Sequence, residues 1–137
     1  SWLRCLNVSS NPFFIPEVCR SLSNDPTFGF DMIKEFSKHK VIFNQAIDIA
    51  GKDRGNIRCF EALTSGGLLV SDKGNYPPEF RESHNFVAYS GLDDLIEIMR
   101  QIIKYPERYQ SIAKNGFSMI HEIYSKKIQM ERFHSFL

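Results

Sequence analysis

Residues Gly51 to Asp72, GKDRGNIRCFEALTSGGLLVSD, decide how the chain is read. The loop Gly51-Lys52-Asp53-Arg54-Gly55 combines glycine freedom with two cations. The helix that follows opens at about Asn56, so its first amides and the positive end of its dipole face whatever the loop holds, which suits an anion. Inside that helix one carboxylate, Glu61, stands among Ile57, Cys59, Phe60, Ala62 and Leu63, and a charge in so apolar a run needs a partner. Gly66-Gly67 ends the helix as a left-handed cap does. Leu68-Leu69-Val70 is too short for a helix and too apolar for a loop, which predicts a buried, parallel strand. A helix feeding a sheet, with its amino end at a ligand edge, is the resulting unit.

Outward from this unit the same pattern repeats. Upstream, Lys40 to Asn44 is a β-branched and aromatic run that predicts a strand, with Asn44 at the carboxyl end where open α/β sheets place ligands. Before it, Asp31 is the expected N-cap of a helix from Met32 to His39. Trp2 to Val8 alternates enough for a strand, Ile15 to Leu22 suits a short helix, and Asn24-Asp25-Pro26 a turn. Downstream, Lys73 to Pro78 is a loop by composition, Glu79 to Glu82 a helical turn, and Phe86 to Tyr89 a short strand. Ser90 is the expected cap of a helix whose Leu92, Leu95, Ile96, Met99, Ile102 and Ile103 share one face. Pro106 suits the start of another helix, and Met130, Phe133 and Leu137 suggest a last one. Strands alternating with helices predict an α/β domain with a mostly parallel sheet and a helical C-terminal tail.

Composition narrows the function classes. The 137 residues suffice for one domain with a real core, and 42% hydrophobic with 24% charged content is that of a globular protein. Seventeen basic against sixteen acidic residues argue against a nucleic-acid surface, and no apolar run is long enough for a transmembrane segment. Cys5, Cys19 and Cys59 are odd in number and widely spaced, which excludes a disulfide framework and suits a reducing compartment. His39, His84, His121 and His134 lack metal-ligand spacing, so no metal is expected, and no catalytic triad stands out. The glycines match neither a dinucleotide fingerprint nor a Walker loop. The start at Ser1, in what reads as mid-fold sequence, suggests a piece of a longer protein.

Spacing suggests what the anion site would hold. A phosphate at the helix start would leave Glu61 roughly 7 to 8 Å further along, near the offset between a nucleotide's phosphates and its ribose diol. A carboxylate has two acceptor oxygens and can take both hydroxyls of a cis diol. Spacing alone favours, for Glu61, an ordinary helix-surface pair with Arg58, three residues back. Asp53 suits a turn as well as a ligand. Arg58 is the best-placed of Lys52, Arg54 and Arg58 to neutralise a diphosphate, while Gly55 and Asn56 serve as turn and cap in either case.

The run Asn56-Ile57-Arg58-Cys59-Phe60-Glu61-Ala62-Leu63-Thr64-Ser65-Gly66-Gly67 and the strand ending in Asp72 resemble the signature of group 1 glycosyltransferases, especially the CgeB-like spore-maturation branch. Downstream, Tyr105-Pro106-Glu107-Arg108 and Ile112-Ala113-Lys114-Asn115-Gly116 continue the likeness, which covers roughly residues 40 to 137. The resemblance implies a GT-B enzyme of two Rossmann-like lobes, with this chain a single three-layer C-terminal lobe that binds a nucleotide-sugar donor. It implies no cofactor beyond the donor substrate, a missing N-terminal acceptor lobe as partner, and a cytoplasmic location, at a membrane only through its acceptor. By position, Glu61 matches the acid that binds the donor ribose. Asp53 stands at the first acid of an E-x7-E motif, and Asp53 and Glu61 are the two catalytic candidates. Asn44, Gly55, Asn56 and Arg58 complete the substrate-binding set. Two departures stand out: the first acid is Asp rather than Glu, and the family's His-Thr-Tyr is Glu122-Ile123-Tyr124 here. Two other readings fit the same residues: a non-catalytic nucleotide-binding or structural module that keeps the fold, and an unrelated receiver-like domain with Asp72 as its acid.

Overall fold

The structure, a computed structural model, describes residues 27–46 and 51–136. The expected strand over Trp2 to Val8, the helix over Ile15 to Leu22, the turn at Asn24 to Pro26, and Cys5, Cys19 and Leu137 lie outside the described residues. Three strands, β1 (Val41–Asn44), β2 (Leu68–Asp72) and β3 (Val87–Tyr89), pair in parallel in the order β1-β2-β3. Five helices accompany them: α1 (Gly29–Ser37), α2 (Ile57–Thr64), α3 (Leu92–Lys104), α4 (Pro106–Ile123) and α5 (Lys126–His134). Asn44 lies beside Ser71, and Asp72 beside Tyr89, so the three carboxyl ends form one edge.

The pleat sends alternate side chains to two cores, and both are covered by helices. Ile42, Leu69 and Ala88 pack with Met32 and Phe36 of α1, Ala62 and Leu63 of α2, and Met119 and Ile120 of α4. Leu68, Val70 and Val87 pack on the opposite side with Ile102 of α3 and with Ile112 and Ala113 of α4. α4 therefore runs from one layer to the other. Because β2 is covered on both faces, Leu68 through Ser71 are all buried, which is why it reads as an unbroken apolar run. α2 stops where expected: Ser65 is the C-cap, and Gly66 turns the chain at φ +81°, a conformation costly for other residues.

The connections to β2 and from it differ in kind. α2 links β1 to β2, whereas residues 73–86 cross to β3 without a helix. Aromatic rings fill that layer instead, with Phe60 and Phe80 edge to face at 5.3 Å and Tyr76 against Phe86 at 4.5 Å. The helical turn expected at Glu79 to Glu82 is absent. Buried Asn85 takes its backbone partners: its Oδ1 accepts from the Arg81 amide at 2.8 Å, and its Nδ2 donates to the Glu79 carbonyl at 2.8 Å.

Two helix caps also differ from expectation. α1 begins before Asp31, at Phe28 and Gly29, and Gly29 enters it with φ +58°. Asp31 sits in the first turn, where its charge suits the dipole, 3.7 Å from Lys34. At α3 the N-cap is Gly91, and Asp94 reaches back to accept from the Ser90 amide at 2.8 Å. Ser90 is thus the capped residue, not the cap. Pro106 does occupy the first position of α4, where its missing N–H costs nothing.

Candidate functional site

The carboxyl edge of the sheet is built from polar groups that tie β1, β2 and the start of α2 together. Asn44 is buried, and its Nδ2 donates to Ser71 Oγ at 3.0 Å and to Cys59 Sγ at 3.4 Å. Both amide hydrogens are therefore spent within the protein. Asn56 is the N-cap of α2, accepting through Oδ1 from the Cys59 amide at 3.3 Å. Burial pushes the Cys59 thiol up to about 11, so it stays protonated as a small core residue. Among the described residues, no acceptor stands against the amides of Ile57 and Arg58. These two N–H groups open toward the loop at the helix's positive end.

The loop before α2 is held by a second network centred on Asp72. Its Oδ1 accepts from the Ala46 amide at 3.0 Å, and its Oδ2 lies 2.5 Å from Arg54 Nε. That contact is one of charge: the Nε hydrogen has no well-aimed acceptor. Arg54 Nη1 donates instead to the carbonyls of Gly51 at 2.8 Å and Asp53 at 3.2 Å. A backbone ladder ties the loop to the chain after β2, with the Arg54 amide donating to Asn75 O at 2.7 Å and the Asn75 amide to Lys52 O at 2.8 Å. Gly55 closes the turn at φ +85°, and a Cβ there would lie 2.7 Å from Pro77 Cδ. Only glycine satisfies both demands.

The sequence-derived candidates fall into two groups. Gly55 and Asn56 lead into α2, which carries Arg58 and Glu61 and is tied to Asn44 through Cys59. Asp53 is exposed and directed to Asn75, whose Nδ2 donates to its Oδ1 at 3.2 Å. Arg58 is half-buried, with Nη1 3.1 Å from Met32 Sδ on α1, and it forms no ion pair with Glu61. Glu61 is half-buried too, and its Oε2 is shielded from solvent with no hydrogen-bond partner among the described residues. Loss of solvent raises its carboxyl pKa, and the Arg58 charge opposes this only in part. The ordinary surface pair between these two residues is therefore absent. Arg54 and Asp72, not singled out as a pair from sequence, carry the loop. An acid at the end of a buried strand needs a partner by the same rule that drew attention to Glu61.

Two further features bound the chemistry. Among the described residues, no three His, Cys, Asp or Glu side chains converge as a metal site, and no helix is long and apolar enough to cross a membrane. A cavity of about 470 Å³ lies elsewhere, between the turn around Arg81 and His84 and the Asn115 to Ile123 side of α4. It adjoins the amino end of β3, away from the edge that carries Asp72.

Comparison with known proteins agrees with this architecture. Residues 13–135 match the family described as "Glycosyl transferase-like". The fold is similar to that of the C-terminal domain of LpcC, a glycosyl transferase group 1 family protein from Francisella tularensis, with a TM-score of 0.59 and 14% sequence identity. The match covers 76% of this chain and 53% of that one, so the chain spans about half the length of the domain it resembles. No curated protein matches the chain. With the family match running over most of its length, the chain belongs to the glycosyl transferase-like family, and the three parallel strands and five helices of the described residues form an α/β fold like that of a GT-B C-terminal domain.

Proposed function

We propose that this chain is the donor-binding lobe of a nucleotide-sugar-dependent glycosyltransferase, one lobe of a longer cytoplasmic protein whose other lobe holds the acceptor. The observation that carries the reading is Glu61 Oε2, a shielded acceptor without a donor among the described residues. A carboxylate left desolvated and unpaired is costly, and ligand hydroxyls that donate to it remove that cost. The ribose diol of a nucleoside diphosphate has the two donors required. The diphosphate would rest on the amides of Ile57 and Arg58 with the Arg58 guanidinium nearby. That arrangement stabilises the charge that develops on the leaving diphosphate as the glycosidic bond breaks. Asp53 is the first acid of the pair at the loop, and Asn44 holds the helix start in place from below. The assignment to the CgeB-like branch rests only on the N-x-R-x-F-E-A-L-x-x-G-G run.

Calorimetric titration with UDP, GDP and TDP tests this reading. At least one is expected to saturate, and Glu61→Ala is expected to weaken that binding by roughly ten-fold or more, the worth of a hydrogen bond to a charged group. Indifference to all three nucleotides would overturn it. Transfer itself is read from donor hydrolysis by the full-length protein.

A further inference from the structure

α3 carries more apolar surface than the sheet covers. Leu95, Ile98, Met99 and Ile102 pack toward the core beneath it. Along the adjoining line, Leu92, Ile96 and Ile103 are 71%, 42% and 63% exposed. Leu92, Ile96, Met99 and Ile103 recur at alternating spacings of four and three residues, the a/d rhythm of a two-helix seam. The charges beside this seam are ordered as well. Asp93, Asp94 and Glu97 occupy the amino half of the helix, and Arg100 and Lys104 the carboxyl half.

We propose that α3 is the contact surface of a twofold-symmetric homodimer. When the helix is set antiparallel against an identical one, a meets d: Leu92 lies opposite Ile103 of the second copy, and Ile96 opposite Met99. In that register Asp93 flanks Arg100 of the second copy, and symmetry repeats the pair. The helix dipoles oppose as well. A second copy supplies the apolar knobs and the opposite charges in the order this helix needs. The contact of Arg100 Nη1 with Glu97 at 3.6 Å is between exposed groups of the same helix and is weak enough to exchange. The other flank, Leu95 and Ile102, is already taken by the chain's own core, and Met99, half-buried against that core, offers only its outer side to the second copy, so the seam stays one-sided.

Sedimentation of the full chain over a range on the order of 1 to 500 µM tests the proposal. The natural chain is expected to dimerise within that range. Ile103→Glu is expected to be monomeric throughout with an unchanged circular-dichroism melt. Asp93→Arg sets like charges against Arg100 of the second copy and is expected to weaken the dimer roughly ten-fold, while Asp93→Arg with Arg100→Asp is expected to regain most of that loss. A chain that stays monomeric, a dimer that survives Ile103→Glu, or a double variant no tighter than Asp93→Arg alone would each overturn it. None of these readouts depends on nucleotide binding.

Discussion

Two acids, Asp72 at the end of β2 and Glu61 in α2, are treated in opposite ways. Asp72 has the Ala46 amide on one oxygen and the Arg54 guanidinium on the other. Glu61 has one oxygen shielded with nothing to bond, and a pKa raised because solvent is lost faster than the Arg58 charge compensates. A charge held by an amide and a counter-charge organises structure, whereas a charge left without either is a demand that a ligand can meet. The contrast assigns Asp72 to holding the loop and, under the proposed function, leaves Glu61 for the ligand.

Substitutions at the two acids should therefore separate. The largest effect is expected for Asp72→Ala. It strands the mostly buried Arg54 and frees the Ala46 amide, for a loss of about 3 kcal/mol in denaturant unfolding. A loss under about 1 kcal/mol would show that the pair is only a surface contact. Next comes Asn44→Ala, which removes the donor that joins Ser71 to Cys59 and opens a small void; a loss of about 2 kcal/mol is expected in the same assay. Gly55→Ala follows at about 1 to 2 kcal/mol, because the new methyl must accept a left-handed backbone and push Pro77 aside. The smallest effect has the opposite sign. A folded-state pKa raised above the ordinary Glu value means that ionised Glu61 disfavours the fold, so its cost is present at neutral pH. The cost fades as the pH falls through the raised pKa toward the unfolded value. Glu61→Gln removes that charge and should slightly raise the melting temperature at pH 7, with the gain shrinking in acid.

The elements that repeat a local rule were legible in the sequence. β2 is a run of apolar residues because both faces are covered, Gly66 has the backbone angle its position in the sequence suggested, and Pro106 starts α4. What escaped depends on partners distant along the chain. Asn85 satisfies the backbone at Glu79 and Arg81 through its side chain, so a helical turn has no reason to form there. The same holds for the site. Asn56 as a cap and Glu61 as an acid in apolar company can be read directly. That Arg54 is committed to Asp72, and that Arg58 turns toward Met32 rather than Glu61, is set by how α1, β2 and the loop meet. Caps misled for a simpler reason: at α1 the helix starts earlier, which moves Asp31 from the cap into the first turn, and at α3 Asp94 of the first turn bonds back to the Ser90 amide.

The account turns on Glu61 being destabilising when empty and useful when occupied, and one thermal-shift comparison at pH 7 tests both halves. With nucleoside diphosphate at about 100 times its dissociation constant, the natural chain should gain about 2.7 kcal/mol of stability. Glu61→Gln should melt higher than the natural chain without nucleotide and gain at most about 1.4 kcal/mol, half the natural gain, when the same nucleotide concentration is added. A Glu61→Gln chain that melts lower when empty, yet shifts with nucleotide as much as the natural one, would contradict the account.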